Sequence, residues 1–92
     1  MITAIVFVQA DVSRIPAVAT AIADIDGVSE VYSVTGQIDL IAMIRVKEHD
    51  DIATVVADRL NKVDGVVDTE THIAYRAYSR HDLEATFSLG LD

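Results

Sequence analysis

A chain of 92 residues makes one domain, and a domain this small buries a modest core of its own. Its 15 acidic against 7 basic residues leave a formal charge of −8, and the basic residues are scattered, so direct binding to a phosphate backbone is disfavoured. There is no cysteine for a disulfide framework, no apolar run long enough to span a membrane, and no basic segment of the kind that opens a signal peptide. A cytoplasmic domain is the expectation.

Thr3 to Gln9, rich in Ile, Val and Phe, reads as the first strand. Asp11 or Ser13 can cap a helix, and Pro16 is tolerated in its first turn. Ile15, Val18, Ile22 and Ile25 then recur at helical spacing, and Gly27 can end the helix. Val28 to Thr35 is the second strand. Gly36-Gln37 turns the chain, and Ile38 or Asp39 to Lys47 returns as the third. Asp50 can cap a second helix with the apolar face Ile52, Val56, Leu60 and Val63, which Gly65 ends. Val66 to Tyr78, mostly β-branched or aromatic, is the last strand.

The chain repeats itself once. Laying Asp26-Gly27-Val28 on Asp64-Gly65-Val66 also aligns Val18 with Val56, Ala19 with Ala57, Ile22 with Leu60 and Ile25 with Val63. Two strand–helix–strand halves in one small domain point to a ferredoxin-like βαββαβ fold, of class α+β, with a four-stranded antiparallel sheet. The domain covers residues 1–79, and residues 80–92 form a tail. Leu83, Phe87, Leu89 and Leu91 keep that tail amphipathic, so it is expected to dock on the domain or its partner.

Side chains alternate across a strand. In the third strand Leu40, Ala42, Ile44 and Val46 point one way, and Ile41 and Met43 the other. In the first, Ala4, Val6 and Val8 oppose Ile5 and Phe7. Both faces of the central strands are therefore apolar, while two helices cover one. A second copy is the economical cover for the other face, so a homodimer is expected, in the form of a dimeric α/β barrel.

No catalytic or metal motif emerges. His49, His72 and His81 have no zinc-like spacing, and no cysteine assists them. Glu70 and His72 share a strand face and read as a solvated or salt-bridged pair. Tyr32, Tyr75 and Tyr78 read as packing residues. Phosphate-binding and nucleophile-elbow motifs are missing, and the helix faces offer Ile, Val, Leu and Ala where an enzyme core would need convergent polar groups. The chain is expected not to be an enzyme and to need no cofactor. The rival reading is a small dimeric ferredoxin-like enzyme of the monooxygenase type.

The stretch Val31-Tyr32-Ser33-Val34-Thr35-Gly36-Gln37-Ile38-Asp39-Leu40-Ile41-Ala42 sets T-G-x-x-D between two strands. It resembles the β2–β3 hairpin of the Lrp/AsnC C-terminal domain, also called the RAM domain. Val63-Asp64-Gly65-Val66 followed by Thr69 and Thr71 is similar to that family's entry to its last strand. The resemblance runs from Met1 to about Tyr78, and the helix-turn-helix of full family members has no counterpart in it, as in stand-alone members.

The resemblance implies a non-enzymatic effector-binding and oligomerisation module. It implies dimers assembling into rings, and a small molecule of the amino-acid class between dimers near the hairpin. It also implies a transcriptional role exerted indirectly, with a full-length Lrp/AsnC-type regulator as a possible partner. Gly36, Gln37, Asp39, Thr69 and Thr71 are the ligand-binding candidates. Gly36 admits close approach to backbone N–H groups, which receive a carboxylate, and Asp39 offers an acceptor to an ammonium. On chemistry alone Gly36 and Asp39 are equally ordinary turn residues, and Thr69 and Thr71 ordinary strand residues.

Overall fold

The apolar alternation of the two central strands decides where the helices sit. In the computed structural model, which describes residues 1–78 and 80, Ala4, Val6 and Val8 of β1 (Ile2–Ala10) are fully buried. So are Leu40, Ala42 and Ile44 of β3 (Leu40–Val46). These side chains meet Val18 and Ile22 of α1 (Ile15–Ala23), and Ile52, Val55, Val56 and Leu60 of the second helical segment, in one core. Ile5, Phe7, Ile41 and Met43 point to the opposite face, which is helix-free among the described residues, and are only half-buried.

With β2 (Val28–Ser33) and β4 (Val66–Ile73) the strands form one antiparallel sheet in the order β2-β3-β1-β4. The βαββαβ order and the α+β class are as expected, but the expected barrel is not there. β2 and β4 are the two edges of an open sheet, and closure would require them to hydrogen-bond to each other.

Three further details depart from the expected elements. β4 stops at Ile73, not Tyr78, because its partner runs out: Ala74 N–H still donates to Thr3 O, at 2.9 Å, and β1 begins at Ile2. Tyr75 and Tyr78 accordingly stand exposed, as does half of Tyr32, so none is a packing residue of this core. The second helix starts earlier than expected: its cap is Glu48, whose N–H donates to the Asp51 carboxylate at 3.1 Å, and α2 runs His49–Ala53. It then widens into a π-helical stretch over Thr54–Arg59, where Leu60 N–H reaches back to Val55 O as well as Val56 O. The wider turn lets both Val55 and Val56 face the sheet, where a regular helix would favour Val56 alone.

The twin D-G-V turns do equivalent jobs. Gly27 O accepts from Arg45 N–H at 3.0 Å and Gly65 O from Asp11 N–H at 2.8 Å, so each turn ties a helix end to the end of a central strand. Asp11 also caps the short 3₁₀ turn Val12–Arg14 that leads into α1. The Ser13 hydroxyl, then the Ser13 N–H, hold its carboxyl below the usual carboxylate range. A depressed folded value stabilises the fold above the unfolded pKa of about 3.9 and loses that stabilisation as pH falls through the lower folded value. Asp11→Asn should therefore narrow the gap between urea midpoints measured at pH 5 and pH 3. An unchanged gap would remove Asp11 from the acid response.

Candidate functional site at the hairpin end

Residues 34–39 join β2 to β3 and cross the end of β1. Val34 N–H donates to Asp39 O and Asp39 N–H to Val8 O, both at 3.1 Å, which closes the base of the hairpin. Beyond that base β1 runs on without β3, since Leu40 opposite Val8 is the last pair. Ala10 N–H would there lack an acceptor on the β3 side, and the Asp39 carboxylate supplies one at 2.8 Å. Asp39 therefore has a structural duty that its spacing in the sequence does not disclose. Gly36, at φ +109° with no heavy atom within 4 Å of a Cβ placed there, forms an open tip. Gln37 O accepts from the Gln9 side chain at 3.5 Å.

Thr69 and Thr71 pair with Val8 and Val6, whose side chains are buried on the helix side, so both threonines lie on that side too. The Thr69 hydroxyl is 2.7 Å from the Asn61 side-chain oxygen, to which it donates. Leu40, Val8 and Thr69 form one row across three strands, which puts Thr69 at the hairpin end of the sheet. Thr71 lies one row-pair further away. Gly36, Gln37, Asp39 and Thr69 thus gather at one end of the sheet, Thr71 sits opposite Val6 in its middle, and the five do not line a single enclosed cavity among the described residues.

One concave feature at this end is a cleft of about 190 Å³ lined by Phe7, Gln9, Ile38, Asp68, Thr69 and Glu70. Of the candidates only Thr69 contributes to it directly. Cross-strand pairing builds the rest, with Gln9 opposite Asp68 and Phe7 opposite Glu70. Glu70 lies 3.1 Å from His72, whose ring centroid is 5.1 Å from that of Phe7. Two carboxylates beside an aromatic wall suit an ammonium group attached to an apolar body. The Asp68-x-Glu70 alternation was visible in the sequence; its neighbours were not, because they depend on the register.

The model of the Lrp/AsnC ligand binding domain matches residues 3–83. The chain belongs to this family. TTHA0845 from Thermus thermophilus is 44% identical in its solved structure, with a TM-score of 0.82 over 87% of this chain and 100% of that one. An uncharacterized HTH-type transcriptional regulator of Bacillus subtilis, YugG, is 40% identical over 55 residues, 60% of this chain and 32% of the relative. The regulator NMB0573 of Neisseria meningitidis, solved as an L-Met complex, shares the fold at a TM-score of 0.76 and 16% identity, over 86% of this chain and 53% of that one.

The matched part of this Lrp/AsnC chain spans about a third of YugG's length. As a member of this family it is a non-catalytic ligand-binding and oligomerisation module of a regulatory class, and the rival monooxygenase-type reading falls. No helix among the described residues is long and apolar enough to cross a membrane.

Proposed function

We propose that this Lrp/AsnC domain is a cytoplasmic effector sensor that works by changing its assembly. Two copies pair through their helix-free sheet faces, and pairs assemble into rings through the hairpin ends. An amino acid or a close analogue binds at those ends and favours one assembly state by binding it better than the other. A full-length Lrp/AsnC-type regulator, which carries the DNA-reading part, is the partner that would read the change. The observation that carries the reading is the row of Ile5, Phe7, Ile41 and Met43 on a face that no helix among the described residues covers.

At the hairpin end Gly36 and Gln37 offer backbone groups to a carboxylate, and Asp39, Thr69 and Thr71 complete the candidate set. Asp68 and Glu70 add negative charge for the ammonium. The L-Met complex of NMB0573 supports the choice of ligand class. Calorimetric titration with the common amino acids, followed by sedimentation with and without any that bind, tests the proposal. If none binds, or a binder leaves the assembly unchanged, the sensor reading fails.

Asp39→Ala is expected to act twice. It removes the acceptor of Ala10 N–H, a charge-assisted bond worth about 1.5–3 kcal/mol, so thermal stability should fall. Affinity for a bound amino acid should drop by roughly one to two decades, at about 1.4 kcal/mol per decade. Asp39→Asn keeps an oxygen for Ala10 and loses the charge. A variant with near wild-type stability and weakened binding would separate the two duties. Full affinity in both variants would remove Asp39 from the site.

A further inference from the structure

Strand register sorts the helix-free face into two rows. Tyr32, Ile41, Phe7 and Glu70 lie side by side across the four strands, and Glu30, Met43, Ile5 and His72 form the next row. Each row is apolar in the middle and polar at both ends. On the β2 side Glu30 accepts a hydrogen bond from the Tyr32 hydroxyl, and Arg45 reaches Glu30 at 3.4 Å. On the β4 side the His72 ring stands 3.1 Å from Glu70, and both side chains are more than half exposed. Asp68, one row on toward the hairpin, accepts from Thr69 N–H at 2.9 Å. The charges of the two rows do not balance. Glu30 and Glu70 against Arg45 leave one negative charge in excess on each copy, and a protonated His72 cancels it. In a separated chain water screens that excess. Between two stacked sheets the carboxylates lose part of their water, and a carboxylate without a cation then opposes pairing. Residues 81–92, the bulk of the tail expected to dock, lie outside the described residues.

Sheets that stack with aligned strands about the four apolar side chains have two symmetric choices, because the two-fold axis runs either along the strands or across them. Along the strands, β4 lies over β2 of the second copy, and His72 comes opposite that copy's Glu30. Across the strands, β4 lies over its own counterpart, and His72 comes opposite that copy's Glu70. Both choices set apolar side chains on apolar side chains, and both give His72 a carboxylate from the second copy. We infer that His72 is a proton switch on pairing. Protonated, it gives the glutamates of the contact a cation; neutral, it leaves them short of one. From β1 only Ile5 and Phe7 meet His72, the Phe7 ring at 5.1 Å, so the carboxylates govern its charge. The paired state holds the added proton more tightly than separated chains do. Pairing therefore strengthens as pH falls through the histidine range, near about 6.5, and weakens as pH rises through it. The switch rests on the proposed pairing through this face and is independent of the effector site.

Sedimentation of the full chain at pH 5.5, 7 and 8, at one ionic strength, reads the switch. Two symmetry-related ion pairs in partial contact with water are together worth roughly a factor of ten, so the dissociation constant should rise about tenfold from the lowest pH to the highest. Where the dimer is too tight to dilute apart, exchange between nitrogen-15-labelled and unlabelled chains, followed by native mass spectrometry, should be slower by a similar factor at pH 5.5. His72→Gln, at an exposed position, should flatten the response and leave the circular dichroism unchanged. His49 and His81 remain in this variant, so a flattened response belongs to His72. Glu30→Gln should flatten it if β4 faces β2 of the second copy, and Glu70→Gln if β4 faces β4. A response equal in the parent chain and His72→Gln, or one that survives both glutamine variants, overturns the switch. Pairing through this face then still stands if Ile41→Asp splits the dimer. A chain that is monomeric at every pH overturns the switch and the pairing together.

Discussion

Ile41→Asp should split the proposed homodimer while leaving the monomer folded. Ile41 lies opposite Phe7 on β1 and Tyr32 on β2, in the middle of the helix-free face. Its side chain takes no part in the core beneath the helices, which is built from Leu40, Ala42 and Ile44 on the other side of the same strand. In a separated monomer a carboxylate at this position keeps contact with water, and its cost is small. In a sheet-to-sheet dimer it is shut into an apolar contact without a partner, which costs about 3–5 kcal/mol. Symmetry repeats the cost in the other copy. A penalty of about 6 kcal/mol or more per dimer weakens association by roughly four decades. Sedimentation at micromolar concentration should show a dimer for the parent chain and a monomer for the variant, with matching far-ultraviolet circular dichroism. A variant that stays dimeric would place the contact on another surface.

Gly65→Ala should lower stability more than its single added methyl suggests. Gly65 has φ +100°, a conformation that L side chains rarely adopt, and a Cβ there would lie 2.6 Å from Val18 Cγ2 and 3.1 Å from the Arg14 guanidinium. Val18 is 1% exposed and belongs to the core, so it has little room to yield. Backbone strain of about 1–3 kcal/mol adds to overpacking of about 1–3 kcal/mol. At roughly 4–8 °C per kcal/mol for a domain of this size, Tm should fall by at least about 8 °C. Gly36→Ala is the internal control. Its φ of +109° is equally unfavourable, but nothing lies within 4 Å of the new Cβ. It should show the backbone cost alone. Equal losses at the two glycines in thermal melts would mean that contact with Val18 contributes nothing.

Local periodicity carried much of the fold. Alternation at Ala4, Val6 and Val8 and at Leu40, Ala42 and Ile44 marked the buried face, and the Ile15–Ile25 spacing marked the first helix. The repeated D-G-V marked the two turns that tie helix ends to strand ends. Each of these depends only on neighbours within a few residues, so it can be read along the chain. The T-G-x-x-D hairpin was legible for the same reason, and with it the family resemblance that the match over residues 3–83 bears out.

What separated strands do to each other was not legible. The open sheet edges at β2 and β4, the end of β4 at Ile73 and the pairing of Gln9 with Asp68 follow from strand order and register. So does the duty of Asp39, which supplies the acceptor that β3 does not extend far enough to give Ala10 N–H. The π-helical turn is another such case, since only the sheet beneath it gives both Val55 and Val56 a reason to face inward. Which side of each element avoids water can be read along the chain, because that preference belongs to each residue and its near neighbours. Tertiary structure alone decided which polar group meets which. A backbone N–H takes an acceptor from whatever the folded chain brings within about 3 Å, and distance along the sequence does not enter.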